Sequence, residues 1–308
     1  MAIAVWFAVL SLAQTDESLV AAAKSPATLA DFLKSGADFD WQTVWKVLGV
    51  RDPVLRSAPC PADWKPCPVE LVQTGSPDQV ILIAQAAFGH SQDVYLRFDR
   101  QKTGEWKCEG AWPAESNEDF HAYKIMRAGQ KRFLRISSNR SQVGFLISHI
   151  FEEWFDLTQP GFQPVFSITT EGGHSAFGFG VSRDVKTDVR SRPLSGVDQL
   201  EVDLNVVFNG LGLQQQNVFR GVYQRQRGER NFRLVGAFSG KKAIPTSDFL
   251  ALADPFDGLS NQLVRYALPA LRKVASGSDM QAKEWLRSFL RDAADTAAKR
   301  ELLILLKR

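Results

Sequence analysis

Net charge, long apolar runs and metal-ligand motifs are all scarce in this chain. Lys+Arg 37 against Asp+Glu 34 leave +3 over 308 residues. That is too little to draw in a nucleic acid or an anionic membrane through net charge. No apolar run reaches the roughly 20 residues that a helix needs to cross a bilayer, so no transmembrane segment is expected. The four histidines, His90, His121, His149 and His174, form neither H-x-H nor H-E-x-x-H. His149 and Glu152, spaced H-x-x-E, point to opposite faces if they lie in a strand. No P-loop, dinucleotide fingerprint or specific nucleic-acid motif is present; Gly178 and Gly180 in AFGFGV sit in a strand pattern. The residues therefore imply no metal and no cofactor. With 44% hydrophobic and 23% charged residues, the chain is neither disordered, collagenous nor a coiled coil as a whole.

The apolar run that does exist is N-terminal. Met1 to Ala13 carries no charge, and the first ionisable side chain is Asp16. Ser11 and Ala13 put small residues at the −3 and −1 positions of a signal-peptidase site before Gln14, so 1–13 reads as a signal peptide. No Lys or Arg precedes the run, which departs from the usual pattern. The expectation is export, to a periplasm or an extracellular space. Three cysteines suit that compartment with one bridge and one spare thiol. Cys60 and Cys67 bracket PADWKP and are expected to form a disulfide; closing so short a loop stabilises by roughly 2–3 kcal/mol.

The chain divides by pattern. Residues 15–50 read as three short helices: Ser25-Pro26 supplies an N-cap and a proline at N1, and Trp41, Val44, Trp45 and Leu48 share one face before Gly49. Residues 51–68 hold five prolines and read as a loop. From 69 to 239 strand follows strand. Val80 to Ala84 (VILIA) is apolar on consecutive positions, as in a strand covered on both faces. Leu200, Val202, Leu204, Val206 and Phe208 alternate with polar residues, as in a half-buried one. No long helix-period segment intervenes, so the pairing should be antiparallel. Residues 246–308 return to helix: Thr246 or Ser247 opens a short one, Ser260 caps the next, Pro269 should kink it, and Asp295 or Thr296 caps the last.

A faint repeat groups the strands in fours, near 69–113, 121–170 and 175–239. It aligns Trp106-Lys107-Cys108-Glu109-Gly110-Ala111 with Phe232-Arg233-Leu234-Val235-Gly236-Ala237. The expected fold is mainly β, an antiparallel meander of three blade-like units flanked by helices. An open or incomplete propeller, a bent sheet and a sandwich all fit it. The alignment puts Cys108 where the third unit has Leu234, which makes it a core thiol and leaves Cys60 to Cys67.

Two G-x-S stretches resemble nucleophile elbows, Gly89-His90-Ser91 and Gly173-His174-Ser175. The place of the last glycine holds Asp93 and Phe177, and strands rather than helices follow, so both read as ordinary turns. Asp184, Asp188, Glu201 and Asp203 fall on the outward face of two strands together with Lys186 and Arg190, the pattern of cross-strand ion pairs. Asn139-Arg140-Ser141 is a glycosylation sequon in a eukaryotic host. The one local charge cluster is Arg220, Arg225, Arg227, Arg230 and Arg233, opposed by Glu229 and interleaved with Phe219, Tyr223 and Phe232. On a strand Tyr223, Arg225 and Arg227 share a face, so Arg220, Tyr223, Arg225, Arg227, Arg230 and Arg233 are the candidate ligand-binding set, for a polyanion such as an acidic polysaccharide or nucleic acid. The alternative for this hairpin is a solvated edge kept from pairing by its charges. The functional expectation is an exported, non-catalytic binding protein with an extracellular polyanion or protein as partner. The rival is a secreted or periplasmic hydrolase with a site assembled from dispersed loops.

Overall fold

The computed structural model describes residues 17–35, 39, 41–51, 68–87, 91–115, 123–128, 131–142, 147–176, 181–194, 197–210, 213–240 and 259–307. The expected signal segment, the Cys60–Cys67 pair and the helix expected after Thr246 lie outside the described residues. No described helix is long and apolar enough to cross a membrane.

Among the described residues three helices come first: α1 (17–22), α2 (Pro26–Lys34) and α3 (Trp41–Leu48). Four strands then form one sheet in sequence order, β1 (Val69–Ser76), β2 (Gln79–Ala87), β3 (Ser91–Arg100) and β4 (Trp106–Glu115). Eight more form a second sheet, also in sequence order. They are β5 (Tyr123–Ala128), β6 (Lys131–Gln142), β7 (Ile147–Asp156), β8 (Phe166–Ala176), β9 (Val181–Leu194), β10 (Val197–Gly210), β11 (Leu213–Gln226) and β12 (Arg233–Leu234). Among the described residues four helices follow: α4 (Leu259–Tyr266), α5 (Leu268–Ser276), α6 (Met280–Arg291) and α7 (Ala297–Leu305). The expected antiparallel β protein with helices at both ends is what folds. The first group of four strands is a sheet of its own. The second and third are one ladder, because β8 pairs with β9 in register from Glu171↔Lys186 to Ala176↔Val181. The strand groups thus make two sheets, not three separate blades.

The chain forms two compact units, Met1–Asn139 with Glu153–Phe166, and Arg140–Glu152 with Ser167–Arg308. In the first, the four-stranded sheet is covered on both faces, which is why VILIA reads without alternation. Leu82 and Ala84 of β2, with Val94, Leu96 and Phe98 of β3, face Leu29, Leu33, Trp41, Val44 and Trp45 of the helices. Ile81, Ile83 and Tyr95 face Leu134, Ile136, Phe155 and Phe162. The helices begin and end as their sequence directs. Ser25 Oγ accepts from Thr28 N at 3.2 Å ahead of Pro26, and Gly49, at φ 69°, lets Val50 N reach Trp45 O at 2.9 Å.

A bulge in β4 divides its side chains between the two faces. Arg97 pairs with Gly110 but Phe98 with Cys108, so Glu109 is the extra residue. Trp106 and Cys108 therefore pack on the helical side, and Trp112 and Ala114 on the other. Gly110 serves a close approach: a Cβ there would lie 3.0 Å from Phe162 Cβ.

Arg97 organises the same unit. Its side chain is 3% exposed. The guanidinium grips Asp99 with Nε at 3.0 Å and Nη2 at 2.6 Å, and donates to the carbonyls of Gln159 at 2.7 Å, Gly161 at 2.8 Å and Leu157 at 3.3 Å. Gln79 Nε2 adds bonds to Leu157 O at 2.9 Å and Asp99 at 3.0 Å. An irregular stretch after β7 is thus fixed by side chains in place of a ladder.

In the second unit β9, β10 and β11 are 14 residues each and fully in register. One face is inner: Leu200, Val202, Leu204, Val206 and Phe208 are buried along β10. Leu263, Leu271 and Trp285 of the C-terminal helices, with Ala267 between α4 and α5, close over Val181 and Phe208, Tyr266 meets Phe219 edge-on, and Arg183 donates to Gln262. Gly221 makes room on this face for the buried ring of Phe238; a Cβ there would fall 2.2 Å from it. Two sequence expectations change in the helices. The predicted kink at Pro269 is a full break: α4 stops at Tyr266, and Pro269 sits in the first turn of α5. A proline there has no N–H to lose and cannot continue the turn before it. Ser260 lies inside α4, whose first residue is Leu259. At the last helix the cap is Thr296, accepting from Lys299 N at 3.1 Å.

Candidate functional site

The outer face of β8–β11 carries the sequence-singled polar residues in cross-strand rows. Register sets Asp203 beside Asp188 and Arg220, Glu201 beside Arg190, and Asn205 beside Lys186. The carboxylates are taken up by the cations among them. Arg190 bonds Asp203 and lies 3.5 Å from Asp188; Arg220 meets Asp203 at 3.0 Å, Arg192 meets Glu201 at 2.8 Å, and Lys186 lies 3.9 Å from Glu171. The Arg192 hydrogen bond holds the Glu201 carboxyl below the usual carboxylate range. Amides continue the mesh: Gln216 donates to Asn205 and Gln224 to Gln199, both at 3.0 Å. The cross-strand ion-pair pattern read from the sequence is therefore the arrangement on this face.

The arginine cluster divides. Arg225 stands on the inner face, and its side chain is wholly buried. It grips Asp198 Oδ2 with Nε at 3.0 Å and Nη2 at 2.8 Å, donates to Arg230 O at 3.3 Å, and lies 5.0 Å over the Phe232 ring. Tyr223 shares that face edge-on to Phe238, and burial raises its phenol pKa. This corrects the shared-face patch: Tyr223 and Arg225 belong to the interior of the hairpin. β11 alternates as its sequence predicts, but the aromatic face is the covered one, since apolar bulk leaves water before an arginine side chain need stay in it. Arg220 is on the opposite, outer face, engaged with Asp203. Arg227, Arg230 and Arg233 remain exposed. Arg233 lies 3.6 Å from Glu229; Arg227 and Arg230 form no ion pair among the described residues. Their turn is held by Gly228 at φ 91° and by Glu229, which accepts from Gln226 N at 3.1 Å while its own N–H donates to Gln226 O at 3.1 Å.

The other sequence candidates settle as structure. Ser91 opens β3 and Ser175 lies within β8, each paired in a ladder, Ala87↔Ser91 and Ser175↔Ser182; neither sits at a strand-to-helix turn. His90, His121 and Phe177 lie outside the described residues. His149 is buried in β7, its Nε2 2.7 Å from where a Cβ of Gly172 would be. Among the described residues no three of His, Cys, Asp and Glu gather as a metal-holding group.

Cys108 is a free thiol, packed beside Trp106 against the helical core. Burial pushes its pKa from 9.0 up to about 12. The folded chain holds this proton longer than the unfolded one, so the associated stabilisation is complete below about pH 9 and lost as pH rises toward about 12. At pH 8 the thiol therefore stays protonated and is a poor nucleophile. Iodoacetamide should therefore leave Cys108 unmodified in the native protein and label it in urea; native labelling at the rate of a free peptide thiol would contradict the packing.

One feature of the outer face was not singled out from the sequence. Gly172 and Gly173 leave a gap in β8, and an open groove of about 480 Å³ lies there, lined by Ile150, Glu171, Gly173, Asp184, Lys186 and Val207 among others. Two adjacent glycines in a strand pattern were its signal. Compared with protein-family models, curated proteins and solved structures, the chain matches none of them.

Proposed function

We propose that this is an exported, non-catalytic binding protein that contacts a polyanion, an acidic polysaccharide in the first instance, through the β11–β12 hairpin. The observation that carries the reading is the pair Arg227 and Arg230, exposed on a turn held by glycine and Glu229, with no ion pair among the described residues, and Arg233 beside them. A turn whose backbone is already fixed presents these guanidinium groups with only their own side chains left to order on binding. Export is supported by the uncharged segment from Met1 to Ala13 and its small residues before Gln14.

Heparin-affinity chromatography tests the anion reading. The wild type should elute at higher salt than the Arg227→Gln/Arg230→Gln double variant, because each neutralised anionic group releases counterions. The melting temperature of the variant should stay within a degree or two of wild type, as expected for exposed residues. Equal elution of the two proteins, or wild-type retention no stronger than that of a neutral control, overturns the reading.

A further inference from the structure

The groove at Gly172 and Gly173 has the opposite electrostatic character to the hairpin. Two rows of side chains cross it: Glu171, Lys186 and Asn205 in one, and Gly173, Asp184 and Val207 in the other. Glu171, Asp184 and Lys186 give its lining a formal charge of −1. The carboxylates around it are neutralised. Asp188 and Asp203 share Arg190, Asp203 also meets Arg220, Glu201 has Arg192, and Glu171 has Lys186. Asp184 differs. Its Oδ2 accepts from Asn209 Nδ2 at 2.9 Å and from Ser182 Oγ at 3.3 Å, both neutral donors, and no cation pairs with it among the described residues. These donors orient the carboxylate without cancelling its charge. Beside it the apolar part of the lining is Ile150, Val207 and the glycine Cα atoms, next to Asn205 and the Glu171–Lys186 pair.

We propose that this groove binds a lysine or arginine side chain carried on an extended segment of a partner polypeptide, with Asp184 as the counter-ion. A long aliphatic stem with a cationic head matches Ile150, Val207 and the glycine Cα atoms beside the Asp184 carboxylate. A volume of about 480 Å³ exceeds one side chain and leaves room for the flanking backbone, within the usual range of ligand sites. The glycines create the space. Gly173 has an ordinary strand backbone, and a Cβ there would lie 3.4 Å from Asp184 Oδ1, so a larger residue fills the groove without straining the chain. Gly172 is different, because a Cβ would strike the His149 ring.

The test uses the intact protein and a fluorescent peptide of alternating arginine and glycine, read by anisotropy at low salt, with an alternating glutamate and glycine peptide as comparison. The arginine peptide should bind and the glutamate peptide should not bind at this site. Asp184→Asn should weaken arginine-peptide binding by about fivefold, the scale of one exposed charge pair. Gly173→Val should abolish it by occupying the space. Asp188→Asn should leave it unchanged, since Asp188 lies outside the groove lining and is shared with Arg190. The Arg227→Gln/Arg230→Gln variant should also retain it, which separates this proposal from the anion reading. Wild-type affinity in both Asp184→Asn and Gly173→Val, or no arginine-peptide binding by the wild type, overturns the proposal. Unchanged melting temperatures in the two variants exclude misfolding as the cause of any loss.

Discussion

Arg97→Met should lower folding stability by about 3–5 kcal/mol, the usual scale for breaking a buried, multiply bonded charge site. The loss has identifiable parts. Asp99 loses both its bonds from the guanidinium, and the carbonyls of Gln159 and Gly161 lose theirs. Each buried acceptor left without a donor costs about 1–3 kcal/mol. Methionine fills much of the volume, so cavity formation contributes little. Arg97→Lys is the sharper comparison. It keeps the charge, but an ammonium on a flexible stem cannot serve Asp99 and two separate carbonyls with the geometry of a planar fork. It should recover less than half of the loss. Urea unfolding at neutral pH measures both variants through their midpoints and slopes. A midpoint for Arg97→Met within error of wild type would show that residues 156–161 are held by something other than this side chain.

Arg97 also shows what the sequence could not display. Its neighbours in VYLRFDR belong to a well-patterned strand, and an arginine there reads as a solvent-facing residue of a half-buried sheet. It is buried because the chain returns from β7 sixty residues later and offers carbonyls with no ladder partner. That is a long-range contact with no local periodicity. Where burial follows from local pattern, the sequence displays it: the unbroken VILIA run has two covered faces, and Leu200 to Phe208 alternates in and out. The bulge at Glu109 was invisible for the same reason as Arg97. Its purpose, moving Trp112 to the face opposite Cys108, appears only when both layers are in place. The groove had a signal, Gly172-Gly173, but the adjacent His174 and Ser175 invited comparison with a catalytic elbow. The pair matters instead for what it leaves out of the strand.

The hairpin gives the second large effect, and its direction depends on which partner of a pair is removed. Arg225 is wholly buried, whereas the Asp198 side chain keeps 23% of its exposure. Removing the arginine leaves a carboxylate that water can still reach. Removing the aspartate takes a counter-charge from a guanidinium that water cannot reach, over the Phe232 ring. Desolvation weighs more heavily on the second case. Asp198→Ala should therefore cost about 3–5 kcal/mol and Arg225→Met about 2 kcal/mol, the latter including the lost ring contact. The double variant should lie closer to Arg225→Met than the sum of the two, because once the arginine is gone there is no buried charge for Asp198 to compensate. Thermal or urea unfolding of the four proteins measures this cycle; simple additivity, or a larger loss in Arg225→Met than in Asp198→Ala, would contradict the burial asymmetry. The result also constrains the anion reading. An Arg225 variant that elutes early from heparin does so by loosening the turn that presents Arg227 and Arg230, so its weaker retention should track its melting temperature. The exposed pair should show the reverse, weaker retention at an unchanged melting temperature.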